Sequence, residues 1–173
     1  MTSKRGDAIL LISPELNKAL NEQIGHELGA SLQYLSIAGY FDRQKLKLLA
    51  TLFFKQSDEE KEHALKFVHY VLDTKGDLRI PAIPAPAPSF ASAEEAVAAA
   101  LKWEEEVTGQ INALMDLAGA KKDYLAQGFL QGFIDEQLEE VTKMDQLLTI
   151  IRRAGEKNLI MVEAYLVHIE KAS

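Results

Sequence analysis

Five polar residues interrupt four apolar helical stripes in this chain: Glu27, Glu60, His63, Glu104 and Gln137. Glu27 lies among Leu16, Leu20, Ile24, Ser31 and Tyr34, and Glu60 among Leu49, Phe53, Ala64, Phe67 and Val71, with His63 three residues on. Glu104 shares a face with Val97, Leu101, Ile111 and Met115, and Gln137 with Leu130, Phe133, Val141, Met144 and Leu148. Spacings of three, four, seven and eleven are helical, so each polar group points where its apolar neighbours point. A buried unpaired carboxylate costs several kcal/mol, and three facing one another are intolerable unless protonated or compensated. Multivalent cations held by oxygen and one imidazole are the compensation such a set suits.

Singly, each signal is weak. Glu60-Lys-Glu-His63 alone reads better as a solvated glutamate beside a core histidine, and Glu104 as part of a surface run with Glu105 and Glu106. Glu27 and Gln137 say more, because both sit in mid-stripe. The joint pattern carries the argument: four helices each place a polar ligand near their midpoint, at matching depth in an antiparallel bundle.

The elements that position these groups are legible from their ends. Ser13-Pro14-Glu15 predicts a helix start, with Ser13 as N-cap and the stripe running to about Phe41. After a turn at Asp42–Lys45, a second helix runs from about Leu46 to Asp73, with Gly76 as its C-cap. Residues Leu78–Ala91 hold Pro81, Pro84, Pro86 and Pro88 and read as an extended connector. Ser92-Ala-Glu-Glu95 is a capping box opening a third helix to about Ala118, broken at Gly119. A fourth helix runs from about Asp123 to Arg153, ending near Gly155. A short fifth, Asn158–Glu170, carries Leu159, Val162, Leu166 and Ile169 on one face. Short turns pair helices one with two and three with four. A connector of about eighteen residues can return along a helix ~40 Å long. The expected fold is all-α: a four-helix bundle with one long crossover and a short fifth C-terminal helix.

Composition narrows the function. A chain of 173 residues, 47% hydrophobic, is one domain (13–173) behind an N-terminal extension (1–12). Net charge is −7, which disfavours nucleic-acid binding and suits cations. Zero cysteines exclude a disulfide framework, a cysteine–zinc site and a thiolate-held iron–sulfur cluster. The apolar stretch Ala8–Ile12 is too short for a signal peptide, and no segment approaches the ~18 apolar residues of a membrane span. A soluble, cytoplasmic protein with no membrane partner is expected.

The stretch from Asn21 to Ser36, with Glu27 and Tyr34, resembles the first helix of ferritins. Gln56-Ser-Asp-Glu-Glu60-Lys-Glu-His63-Ala resembles their second, and Phe129-Leu-Gln through Asp-Glu136-Gln137-Leu-Glu139-Glu140 their fourth. The resemblance spans Ser13 to about Glu170 and is nearest to bacterial non-haem ferritins. It implies a ferritin-like bundle in which Glu27 and His63 hold a first iron, Glu60 bridges and Glu104 holds a second. Gln137 hydrogen-bonds at the centre, beside Tyr34. A third iron site is implied at Glu59, Glu136, Glu139 and Glu140, with Glu140 shared with the second iron; the alternative for these four is a solvated acidic face.

The implied activity is iron storage with ferroxidase chemistry, Fe(II) being oxidised by O2 or peroxide and stored as Fe(III) mineral inside a homo-oligomeric, 24-subunit shell. A non-catalytic shell subunit would lack these ligands, and rubrerythrin needs a cysteine-bound iron domain. The departures are specific. Lys143 follows Glu140 where bacterioferritins carry a second histidine, and Lys61 stands at their haem-ligating methionine, so no haem is expected. Gly132 replaces an aromatic residue before Phe133. Gln127 and Leu130 correspond to the acids of the threefold channel of animal ferritins.

Overall fold

A computed structural model describes residues 11–170, and side chains through Val167. Residues 1–10, most of the expected extension, lie outside the described residues, as does the side chain of Ile169. Five α-helices follow in order: α1 (Pro14–Arg43), α2 (Lys47–Asp73), α3 (Ala93–Ala120), α4 (Tyr124–Ala154) and α5 (Leu159–Glu170), with a 3₁₀ turn at Glu156–Asn158 before the last. There is no strand among the described residues, and no helix is long and apolar enough to cross a membrane.

The helix starts follow the expected capping chemistry. Ser13 Oγ accepts from the Leu16 amide at 3.2 Å, Ser92 Oγ from Glu95 at 3.0 Å, and Asp123 Oδ1 from Ala126 at 3.0 Å. The return half of the capping box differs: the Glu95 carboxylate reaches the amide of Ala91 rather than Ser92. The amides of Ala93 and Glu94 are instead taken at 3.2 Å by Glu156, beyond the far end of α4. α2 has no side-chain cap of its own. Glu163 of α5 supplies one, accepting from Leu48 and Leu49 at 2.7 and 3.2 Å.

Two helix ends differ from expectation. α3 runs through Gly119 to Ala120, and Lys122 (φ 55°) makes the turn. After α2 the left-handed residue is Lys75 (φ 59°), not Gly76. Gly76 is needed for space, since a Cβ there would collide with Asn17 Oδ1 and stand 3.0 Å from the Val71 carbonyl.

The connector lies along α1. Asn21 donates to the Asp77 carbonyl at 2.9 Å and accepts from the Arg79 amide at 2.6 Å. Gln33, about 18 Å farther along the helix, accepts from Ala87 at 2.9 Å. Between them Gly25 lets the chain pass, because the Pro81 ring occupies the place of its missing Cβ. The crossover therefore runs the length of the bundle, leaving α3 parallel to α2 and antiparallel to α1.

The core is split in two. One cluster joins Tyr34, Ile37, Phe41, Phe53, Val97 and Leu148 with Leu159 and Val162 of α5. The other joins Leu16, Leu20, Ile24, Phe67, Ile111 and Leu130. Each long helix crosses the gap between them, and all five polar residues singled out from the sequence fall inside that gap.

Candidate metal centre

The belt between the two cores holds most of the buried polar side chains among the described residues. Glu27, Glu60, Glu104, Gln137 and Tyr34 are all at most 5% exposed, and the His63 side chain 12%. Single donor atoms of Glu27, Glu60 and His63 lie within 4.8 Å of one another, a spacing one cation can span. Glu104 faces them from α3, held through both oxygens: Tyr34 donates its hydroxyl to Oε1, and Gln137 Nε2 donates to Oε2 at 3.1 Å. Gln137 also bonds the Glu104 carbonyl at 3.1 Å, tying α4 to α3 at this level. Tyr34 thus sits on Glu104, and so does Gln137.

Several supports were not singled out from the sequence. Gln23, one turn before Glu27, donates to its Oε1 at 2.7 Å, and Gln56, one turn before Glu60, donates to Glu140 at 2.5 Å. The i−4 spacing from a buried carboxylate is the signal that finds both. Ser31 and Ser57 bond each other at 2.9 Å, hydroxyl to hydroxyl, and pin the register of α1 against α2 beside the belt.

The electrostatics are those of an overfilled acidic belt. Burial, then repulsion from Glu60, raises the Glu27 carboxyl well above the usual range. Burial, then the charge of Glu104, pushes Glu60 up to about 8. Burial also raises Glu104, against the hydrogen bonds from Tyr34 and Gln137, and burial with the charge of Glu104 raises the Tyr34 phenol. Such shifts mean protons sit where cations could. Glu27 Oε2 is the sharpest sign: it is buried and accepts no hydrogen bond. Hard oxygen donors with one imidazole and no thiolate suit iron.

His63 is oriented for ligation. Its Nε2 lies 2.9 Å from Glu136 Oε2, and its Nδ1 3.3 Å from Glu60 Oε2. With Nε2–H donating to Glu136, the Nδ1 lone pair faces the carboxylates, and a protonated Glu60 can donate to it.

The acids expected at a third site stand on the rim of the belt. Glu59, Glu136, Glu139 and Glu140 line one open pocket with Glu62, His63 and Lys66. They are not free of cations: Lys66 pairs with Glu136 at 3.2 Å, and Lys143 lies between Glu140 and Glu59.

The pattern of the ferritin-like domain matches residues 17–154, most of the chain and every ligand above. The chain belongs to the ferritin family. Ferritin BfrB of Mycolicibacterium smegmatis is 38% identical over 154 residues, covering 89% of this chain and 84% of that protein. The bacterial non-heme ferritin of Bacteroides fragilis is 33% identical over 156 residues, covering 90% and 98%. Among solved structures, an open pore ferritin from Archaeoglobus fulgidus superposes with a TM-score of 0.87 at 31% identity, covering 91% of this chain and 98% of that one. Membership supports iron storage.

Proposed function

We propose that this ferritin is a ferroxidase that oxidises Fe(II) and stores the Fe(III) product inside a closed homo-oligomeric shell. The observation that carries this reading is the convergence of Glu27, Glu60 and His63 within 4.8 Å, beside a buried Glu27 oxygen with no partner. Glu27 and His63 hold one iron, Glu104 a second, and Glu60 bridges them, with Gln137 and Tyr34 orienting Glu104. Iron is the substrate here. Each of two Fe(II) ions gives up one electron, and dioxygen takes both with two protons to leave hydrogen peroxide. Peroxide itself, taking two electrons and two protons, leaves water. The protons displaced from Glu27, Glu60 and Glu104 on iron binding are released beside the reacting oxygen. Paired electron delivery avoids a superoxide step, and carboxylates favour the Fe(III) product. Glu59, Glu136, Glu139 and Glu140 form a third, weaker iron site on the rim.

The shell, taken as 24 subunits, is supported by the two faces of α5. Leu159 and Val162 are buried against the chain's own bundle, with Leu166 partly buried beside them. The described part of the expected stripe, Leu159, Val162 and Leu166, thus packs internally. The other face leaves Ile160 and Met161 71% and 64% exposed, which suits contact with neighbouring copies in the cytoplasm.

Stopped-flow oxidation of Fe(II) by O2, on protein sized by gel filtration, tests both parts. Glu60→Ala and His63→Ala should each slow the fast phase at least about tenfold, because they remove the bridge and the only imidazole. Unchanged initial rates would mean the centre is misassigned, and a particle of monomer or dimer mass under all salt and metal conditions would exclude the shell.

A further inference from the structure

Lys143 stands one turn beyond Glu140 on α4 and reaches across to α2. Its ammonium donates to Gln56 Oε1 at 2.6 Å and lies 3.4 Å from Glu140 Oε2 and 3.6 Å from Glu59 Oε2. The Gln56 amide nitrogen donates to the same Glu140 oxygen at 2.5 Å. These contacts form a closed set. With its carbonyl on the cation and its NH2 on the carboxylate, the amide satisfies both neighbours; reversed, it would present NH2 to ammonium and oxygen to carboxylate. One amide oxygen and two carboxylates are also the donor set that a hard metal ion takes.

We propose that the Lys143 ammonium is a tethered cation standing at the third iron position, so that this chain neutralises its own acidic rim and loads a third metal only by displacing that ammonium. The inference rests on reading the buried belt as a two-metal centre with Glu59 and Glu140 as part of a third site. As an ion pair on a rim, the contact contributes little to stability, because Lys143 keeps 40% side-chain exposure. Its effect on a multivalent ion is larger. A divalent ion about 5 Å from a fixed ammonium is disfavoured on the order of tenfold even at the dielectric of bulk water. The same ammonium, with Gln56, draws the Glu140 oxygen toward α2, and a metal ion must compete for that oxygen. Lys143 therefore acts as a specificity residue: it separates two tight ions from a third, weak one.

Calorimetric titration of the intact, metal-stripped oligomer with Zn(II) tests this without any turnover. The parent should bind two ions per subunit tightly and a third weakly. Lys143→Met should tighten the third at least about tenfold with the first two unchanged, and Lys143→Arg, which keeps the charge, should resemble the parent. A Met variant whose third site matches the parent's, or a parent with three equally tight sites, would overturn the inference while leaving the two-metal centre intact. Fewer than two sites in the parent would overturn the two-metal reading and this inference together.

Discussion

Raising the pH should weaken the metal-free protein, and the belt sets both the sign and the size. Glu60 titrates near 8 in the folded chain because burial and the charge of Glu104 hold its proton on. Its pKa in the unfolded chain is about 4.5. Below that value both states are protonated and the group is neutral in the balance. Above it the unfolded chain loses its proton first, so folding becomes steadily less favourable until the folded group titrates too. Between about pH 5.5 and pH 8 this one group costs the folded subunit about 3 kcal/mol. Glu27 and Glu104 are raised as well and push in the same direction. For a chain of this size the change corresponds to about 10 °C in melting temperature. Metal reverses the dependence, since a bound cation needs the carboxylates ionised and its stabilisation grows with pH. The assay is calorimetric melting of metal-stripped protein at the two pH values, with and without Zn(II). Glu60→Gln should raise the metal-free melting point at pH 8 and flatten the slope, while shrinking the shift that Zn(II) produces. A metal-free protein that melts higher at pH 8 than at pH 5.5, or a Gln variant that melts lower than the parent at pH 8, would refute the reasoning.

Three further outcomes are expected. No haem should be retained, because Lys61 stands at the position of the bacterioferritin ligand; a Soret band at one haem per subunit pair that survives desalting would count against this. Glu59→Ala with Glu139→Ala should leave rapid oxidation of the first two irons intact and change later turnover, whereas parent-like stoichiometry and multi-turnover kinetics would reduce the rim to a solvated acidic face. Glu163→Ala uncaps the Leu48 and Leu49 amides of α2 and should cost about 1–2 kcal/mol of subunit stability, read as a drop of a few degrees in melting temperature and faster proteolysis within α5.

The long helices and the buried polar belt could be read from the sequence because both obey one period. A carboxylate on an apolar stripe has a single direction to point, so Glu27, Glu60 and Glu104, each weak alone, stood out together once four stripes were set side by side. The helix ends were less legible. Three of them turn on lysines in the left-handed region, Lys45, Lys75 and Lys122, where glycine is the usual signal. A lysine there carries no local mark, although its charge suits the negative end of a helix. Long-range caps were invisible for a different reason. Glu156 and Glu163 lie more than sixty residues from the amides they cap, and no local pattern joins them. Lys143 was legible as a departure at the position of a second histidine; that its ammonium would fold back onto Gln56 and Glu140 depended on the distance between α2 and α4.

The divided core explains how such a costly belt is tolerated. Each helix is anchored on both sides of the gap: α1 by Leu20 and Ile24 on one side and Ile37 and Phe41 on the other, α2 by Phe67 and by Phe53. Neither half can shift along the axis without dragging packed aromatics through the opposite cluster. The ligands therefore meet because the apolar layers fix the register, and the belt contributes pairs such as Ser31–Ser57 and Gln137–Glu104 that resist slippage between helices. Protons stand in for cations when metal is absent, on Glu27 and Glu60 alike, where burial raises both carboxyls. A cation bound there would neutralise carboxylates already held in place, so little ordering entropy would oppose it. The rim differs in kind. Glu59 and Glu139 are exposed and lie outside both apolar layers, so no packing fixes their geometry, and the ammonium of Lys143 stands 3.6 Å from Glu59.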